Sequence, residues 1–324
     1  MSGSGGKGSA PATVGPAVNP RLDRRGLLAT GLSFLSWGLL PLYLKLLASV
    51  PVFQVMGHRV IWACVFVFAW LGLRGQLGAA GRVFRQPQAL SKLLLTAGLI
   101  SVNWAVYVWA VADGHVVDAS LGYFINPLVS VMLGVFLLSE KLNRWQWVAV
   151  SVAAVGVIWL TVQLGHPPWA ALALAISFGL YGFVRKTVAG VDSVAALAIE
   201  TVLILPFALA WIGFEAWRGQ GAFGHQGPAM DALLVLSGLV TAVPLVLFAY
   251  GVRRIPLSTV GLMQYAAPTL QLITAVLLFG EPFTHVQLIG FACIWAALVI
   301  YAIDGFVRGR APKPAASVQA AEAA

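Results

Sequence analysis

The stretch SLGYFINPLVSVMLGVFLLSEKLNRWQ, residues 120–146, is answered by GLMQYAAPTLQLITAVLLFGEPFTHVQ, residues 261–287. Pro127 aligns with Pro268, Val135 with Val276, Leu137 with Leu278, Glu140 with Glu281 and Gln146 with Gln287, all at a constant offset of 141. The same offset carries Ser36-Trp37-Gly38-Leu39 onto Ser177-Phe178-Gly179-Leu180, Lys45 onto Lys186, Val102 onto Val243 and Val111 onto Val252. Single leucine or valine matches carry little weight. The unbroken register across Pro, Glu, Gln, Lys and Ser-x-Gly carries the inference. Residues 26–164 therefore map onto 167–305.

The repeated unit is a set of membrane helices. Hydrophobic residues make up 60% of the 324 and charged residues 10%, against about 25% charged in a soluble domain. Apolar runs of the length that spans a bilayer, about 17–25 residues, occur at 26–47, 53–73, 92–112, 115–139, 145–164, 168–186, 193–214, 231–251, 256–280 and 283–305. Five fall in each repeat. An odd number sends the second copy into the membrane from the opposite side, the inverted-topology plan of many secondary transporters. The expected fold is an all-α integral membrane protein of ten transmembrane helices, built as two inverted five-helix repeats. Residues 1–25 and 306–324 are left as tails, and the Gly/Ser/Ala/Pro-rich residues 1–20 read as disordered. Cys64 and Cys293 fall in apolar runs and read as small core residues rather than a disulfide framework.

The net charge of +9 would admit nucleic acid as a partner, but its placement excludes that reading. With loops assigned alternately to the two sides, 17 of the 20 lysines and arginines fall on one side and Arg218 alone on the other. Lys45 and Arg59 lie inside apolar runs. Such asymmetry is the positive-inside signal and puts both termini in the cytoplasm, in a plasma (inner) membrane. The expected partners are the lipid bilayer and a small solute. The sequence gives no oligomeric state.

Several strings resemble one family. They are HRVIW (58–62), NWAVYVWAV (103–111), ASLGYFINPL (119–128), EKLNRWQWVAV (140–150), SFGLYGFVRK (177–186), IETVLILP (199–206), VTAVPL (240–245), PLSTVGLMQYAAPTL (256–270) and FGEP (279–282). In this order, over about residues 26–305, the chain resembles the RarD family of the drug/metabolite transporter superfamily, with its EamA-type repeats. The resemblance implies a ten-helix inner-membrane transporter of metabolites or drugs, with efflux as the direction. It implies no agreed binding residues, so the candidates rest on physics.

Pro127 lacks an N–H, which frees the carbonyl of Tyr123, and Pro268 does the same to Gln264. In lipid a freed carbonyl must meet a partner or a cavity. Asn126 lies beside the Tyr123–Pro127 face, and Gln271 and Tyr265 lie on or beside the Gln264–Pro268 face. Trp37, Asn103, Tyr107 and Tyr181 add polar and aromatic groups on neighbouring helices. Such a lining suits a small, partly aromatic solute, with cation–π contacts available to an amine. Charge marks a second set. His58 and Arg59 interrupt the apolar run QVMGHRVIWACVFVF (54–68), and the repeat partner of Arg59 is Glu200. Arg59 sits roughly 9 Å into its helix at 1.5 Å per residue. Intramembrane charges are functional candidates. Glu200 and His58 can exchange protons and so become coupling candidates. Glu200→Gln is expected to fold well.

The chain has no G-x-x-x-x-G-K-[ST], H-E-x-x-H or G-x-S-x-G, so it carries no sequence sign of ATP hydrolysis, metalloprotease or serine hydrolase chemistry. His115, His166, His225 and His285 have no metal-ligand spacing. No cofactor or metal is implied. The reading is a secondary transporter moving a small organic solute by alternating access, with proton coupling open. A membrane-embedded enzyme on lipid-linked substrates and a passive channel are the rivals.

Overall fold

The computed structural model describes residues 23–112, 116–280 and 284–310. The expected disorder of residues 1–20, the C-terminal tail beyond Arg310 and His115 lie outside the described residues. The elements are α1 (Arg24–Leu46), α2 (Val52–Leu73), α3 (Leu77–Val83), α4 (Pro87–Ala112), α5 (Val116–Leu138), α6 (Arg144–Leu164), α7 (Trp169–Thr187), α8 (Ser193–Trp217), α9 (Pro228–Val252), α10 (Leu257–Gln264), α11 (Ala266–Phe279) and α12 (His285–Arg310).

Nine stretches among the described residues are long and apolar enough to cross a membrane, with Leu257–Leu278 counted as one across α10 and α11. The tenth run expected from the sequence is present as α7 but is not among the nine. Alanine and glycine occupy much of α7, and Arg185 and Lys186 end it. Its neighbours explain the composition: α7 packs along both α4 and α5, so its walls need small residues rather than large lipid-facing ones.

Two further departures have local causes. The short α3 forms between α2 and α4, where the sequence reading has a loop. The single helix expected over 256–280 is broken at Tyr265. Pro268 has no N–H to give the Gln264 carbonyl, so the ladder is interrupted there. Pro127 does not act alike, since α5 runs unbroken from Val116 to Leu138. Caps fix several ends. Asp23 and Asp192 accept backbone N–H bonds at the starts of α1 and α8, and Asn143 with Gln146 forms a capping box on α6. Glu140 reaches the start of α10, accepting from Leu257 N at 2.6 Å and Ser258 N at 2.9 Å.

The packing pairs are α6 with α12, α2 with α8 and α5 with α10; α5 with α7 and α1 with α11; α4 with α7 and α1 with α9; α2 with α9 and α4 with α8. Glycines set the closest approaches. A Cβ on Gly38 would lie 2.7 Å from Leu270, and one on Gly179 would lie 2.7 Å from Val129. Both members of the second contact are displaced from those of the first by 141 positions. The closest approach to a neighbouring backbone is between α2 and α9, where a Cβ on Gly238 would lie 2.3 Å from Trp62.

The largest buried cluster joins the C-terminal end of α2, α3 and the start of α4 to the α7–α8 and α9–α10 connections. It closes one end of the bundle. Leu71, Leu93, Val252 and Leu257 are each fully buried there.

Candidate functional site

A cavity of about 130 Å³ lies in the other half of the bundle. One water needs about 10–15 Å³ on this measure, so there is room for a small organic solute. Its walls are the second half of α1, the first third of α2, the second half of α4 and the first halves of α5 and α7. The middle of α9 and the α10–α11 break complete it. Tyr123 lines it and keeps 41% of its surface accessible.

Of the residues singled out in the sequence, Trp37, Asn103, Tyr107, Tyr123, Asn126, Gln264, Pro268, Gln271 and Arg59 line this cavity. The helix break matters here, because it brings Gln264 at the end of α10 and Pro268 in α11 to one wall. Gln264 donates to Asn126 Oδ1 at 3.4 Å, and both side chains are buried. Its own Oε1 has no partner among the described residues. Asn103 donates to Leu174 O at 2.9 Å and Ser177 Oγ at 3.0 Å, which ties α4 to α7. Gln271 donates to the Trp37 carbonyl at 3.1 Å and ties α11 to α1.

Five candidates are elsewhere. Pro127 sits in the α5–α10 contact, its carbonyl 2.6 Å from where a Cβ on Gly261 would stand. Tyr265 is fully buried in the apolar cluster of α6 and α12. His58 does not line the cavity; its ring stacks on Phe223 at 5.4 Å. Tyr181 and Glu200 lie below the cavity floor.

That floor is aromatic. Trp37 meets Phe178 edge-on at 5.6 Å, and Phe248 contacts both, at 5.7 and 5.4 Å. Tyr181 stacks on Phe248 at 6.0 Å. Beneath these rings, Arg185 pairs with Glu200 at 3.6 Å, each side chain 2% exposed. Thr96 donates its hydroxyl to the Glu200 carboxylate. A space of about 10 Å³ reaches from Trp104 and Thr241, which also line the main cavity, to Glu200. Basic side chains fasten the same end of the bundle. Lys92 donates to Thr187 O at 2.8 Å, Lys186 to Ile255 O at 2.5 Å and Arg253 to Val191 O at 2.5 Å. Thr187 O ends α7, Ile255 O follows α9 and Val191 O lies in the α7–α8 connection, and none of the three is spent inside a helix.

The sequence reading missed Arg185. It counted this residue with Lys186 as loop charge, whereas α7 buries it against α8. The one usable signal was Glu200 itself, which a dry interior leaves in need of a cation. The pair argues against the expectation that Glu200→Gln folds well, because the amide would leave Arg185 buried without its anion. Arg59 and Glu200, repeat partners in sequence, are not paired. Arg59 donates Nε to Thr241 Oγ1 at 2.8 Å and approaches Met56 Sδ at 3.5 Å. Its guanidinium lies 5.9 Å from the Trp104 ring centre. The Thr241 hydroxyl in turn donates to Ser237 O at 2.8 Å, which fixes its lone pair toward Arg59.

Comparison with known proteins gives the family. Residues 24–162 and again 168–303 match the EamA-like transporter family. The chain is 44% identical to "Uncharacterized transporter YojE" of Bacillus subtilis, over 90% of this chain and 97% of that one. It is 42% identical to "Protein RarD" of Streptomyces exfoliatus, over 89% and 91%. It is 32% identical to "Chloramphenicol-sensitive protein RarD" of Pseudomonas aeruginosa, over 88% and 95%. A solved crystal structure shares the fold, with a TM-score of 0.67 at 18% identity over 87% of this chain and 98% of that one. The matching family and the Bacillus subtilis relative are named as transporters, and the helices are those of a multi-pass membrane protein. The chain belongs to the EamA-like transporter family, among its RarD-type members.

Proposed function

We propose that this membrane transporter carries a small organic solute across the plasma membrane by alternating access, as two inverted five-helix repeats. One observation carries the reading: the cavity is walled by equivalent positions of the two halves and ends on a packed floor. Trp37 and Phe178, Ile100 and Thr241, Trp104 and Leu245, and Tyr123 and Gln264 are all lining pairs separated by 141 positions. The packing supports the repeat as well. Exchanging the halves turns α5 with α7 into α11 with α1, and α4 with α7 into α9 with α1, and all four contacts are present. Two matches to one family over the two halves point the same way.

The charge asymmetry assigns the floor side to the cytoplasm, with both termini there. The structure then corresponds to an outward-facing state. The aromatic floor favours a cavity closed at one end over a continuous pore. Metabolite or drug efflux is the direction that the resemblance to the drug/metabolite transporters favours. Proton coupling through Glu200 would require its ion pair with Arg185 to open during the cycle.

The test is solute flux in proteoliposomes. Asn126→Leu and Gln264→Leu remove amides from the cavity wall without charging it. Each should abolish flux while melting stays near that of the parent. Parental flux in both variants would remove the cavity from the solute path.

A further inference from the structure

We infer that the cavity selects an organic acid, its carboxylate seated on Arg59 and its flat apolar group held by the neighbouring aromatic rings. This rests on the reading of the cavity as the solute site and adds the sign of the solute's charge.

Arg59 is 7% exposed and lines the cavity. A guanidinium offers five N–H donors and cannot shed its charge. Here the protein gives it one good acceptor, Thr241 Oγ1, and one weak one, Met56 Sδ. Among the described residues no carboxylate pairs with it. The described buried acids are committed elsewhere: Glu200 to Arg185, Glu215 to Gln54 at 3.2 Å and Arg218 at 3.9 Å, and Asp304 to Asn143 at 2.6 Å. Among the described residues no acidic side chain lines the cavity. A buried cation with spare donors facing an open space is a receptor for an anion, and Arg matches a carboxylate through two parallel N–H bonds.

A second polar atom points to the same ligand. Gln264 Oε1 is buried and has no partner among the described residues, on the wall of the same cavity. It can accept an N–H or O–H from the far end of a solute whose carboxylate meets Arg59. Trp37, Trp104 and Phe178 line the same cavity and offer flat apolar area. The aromatic lining alone would also suit an amine. Arg59 disfavours that choice, because a second cation would meet like charge in a partly desolvated site where no described carboxylate offsets it.

The experiment uses the full chain, purified in detergent, with four probes of graded chemistry. Benzoate carries both features, benzamide keeps the ring without the charge, benzylamine reverses the charge and acetate lacks the ring. Binding is read by calorimetry and by tryptophan fluorescence. Benzoate should bind about tenfold to a hundredfold more tightly than benzamide, the range expected for one charge-assisted hydrogen-bond pair. Benzylamine and acetate should bind more weakly than benzoate. Arg59→Gln should bring benzoate down to benzamide, and Arg59→Lys should restore part of the preference. Parental charge selection needs no variant to fold, so the inference stands or falls on the four probes. Equal binding of benzoate and benzamide, tighter binding of benzylamine, or binding of none overturns it. The transport reading is judged separately by flux through the Asn126 and Gln264 variants.

Discussion

Replacing Glu200 with Gln keeps the side chain's shape and removes its charge. Arg185 then remains 2% exposed, with the Ser193 carbonyl at 3.4 Å as its acceptor. At 3.6 Å and an effective dielectric of about 20, two unit charges attract by about 4–5 kcal/mol. Independent experience agrees, since removing one partner of a buried ion pair costs about 3–5 kcal/mol. Glu200→Gln and Arg185→Leu should therefore each lose about 3–5 kcal/mol of stability. Replacing both with Leu removes two desolvated charges together and should recover most of that loss. The assay is unfolding in mixed micelles, followed by tryptophan fluorescence, for the parent, both single variants and the double variant. The coupling energy from this cycle is the quantity of interest. Should Glu200→Gln unfold with the parent and the coupling fall below about 1 kcal/mol, as at exposed pairs, the pair does not hold the bundle's closed end.

Two further outcomes test the packing. Gly238→Ala puts a Cβ 2.3 Å from the Trp62 backbone, which must part α2 from α9; overpacking of this kind costs about 1–3 kcal/mol and should lower the melting temperature, whereas an unchanged value would mean the helices are not in contact there. Glu140→Ala removes the carboxylate that accepts from Leu257 N and Ser258 N, leaving the start of α10 uncapped at a cost of about 1–3 kcal/mol, which faster hydrogen exchange at these two amides should report.

The repeat was legible because its register survives in residues with geometric duties. Gly38 and Gly179 admit Leu270 and Val129 at the same distance, and an offset read from sequence anticipates that. The cavity amides were legible because a proline in a membrane helix forces a carbonyl out of its ladder and attracts polar neighbours. Other features left no local trace. Pro127 and Pro268 look alike in sequence, yet only the second coincides with a broken helix. Arg185 adjoins Lys186 and reads as a basic loop, since nothing local reveals that α8 brings an anion to it. Thr241 is an ordinary threonine until α9 sets it 2.8 Å from Arg59. Such pairings are made by tertiary packing between helices far apart in the chain, and periodicity within one helix does not encode them.

Alternating access is tested most directly by labelling one cavity position from each side of the membrane. Leu40 lines the cavity and would be the single cysteine in a chain with Cys64 and Cys293 replaced. Exposed His225 and Gln88, each made the single cysteine in turn, report the two sides for an impermeant thiol reagent. His225→Cys should label from outside and Gln88→Cys from the cytoplasm. In the parent, Leu40→Cys should label mainly from the His225 side. With Glu200→Gln, which leaves Arg185 unpaired at the closed end, labelling from that side should fall as labelling from the Gln88 side rises. Labelling that stays one-sided in both proteins, or rises from both sides together as a pore would allow, contradicts the mechanism.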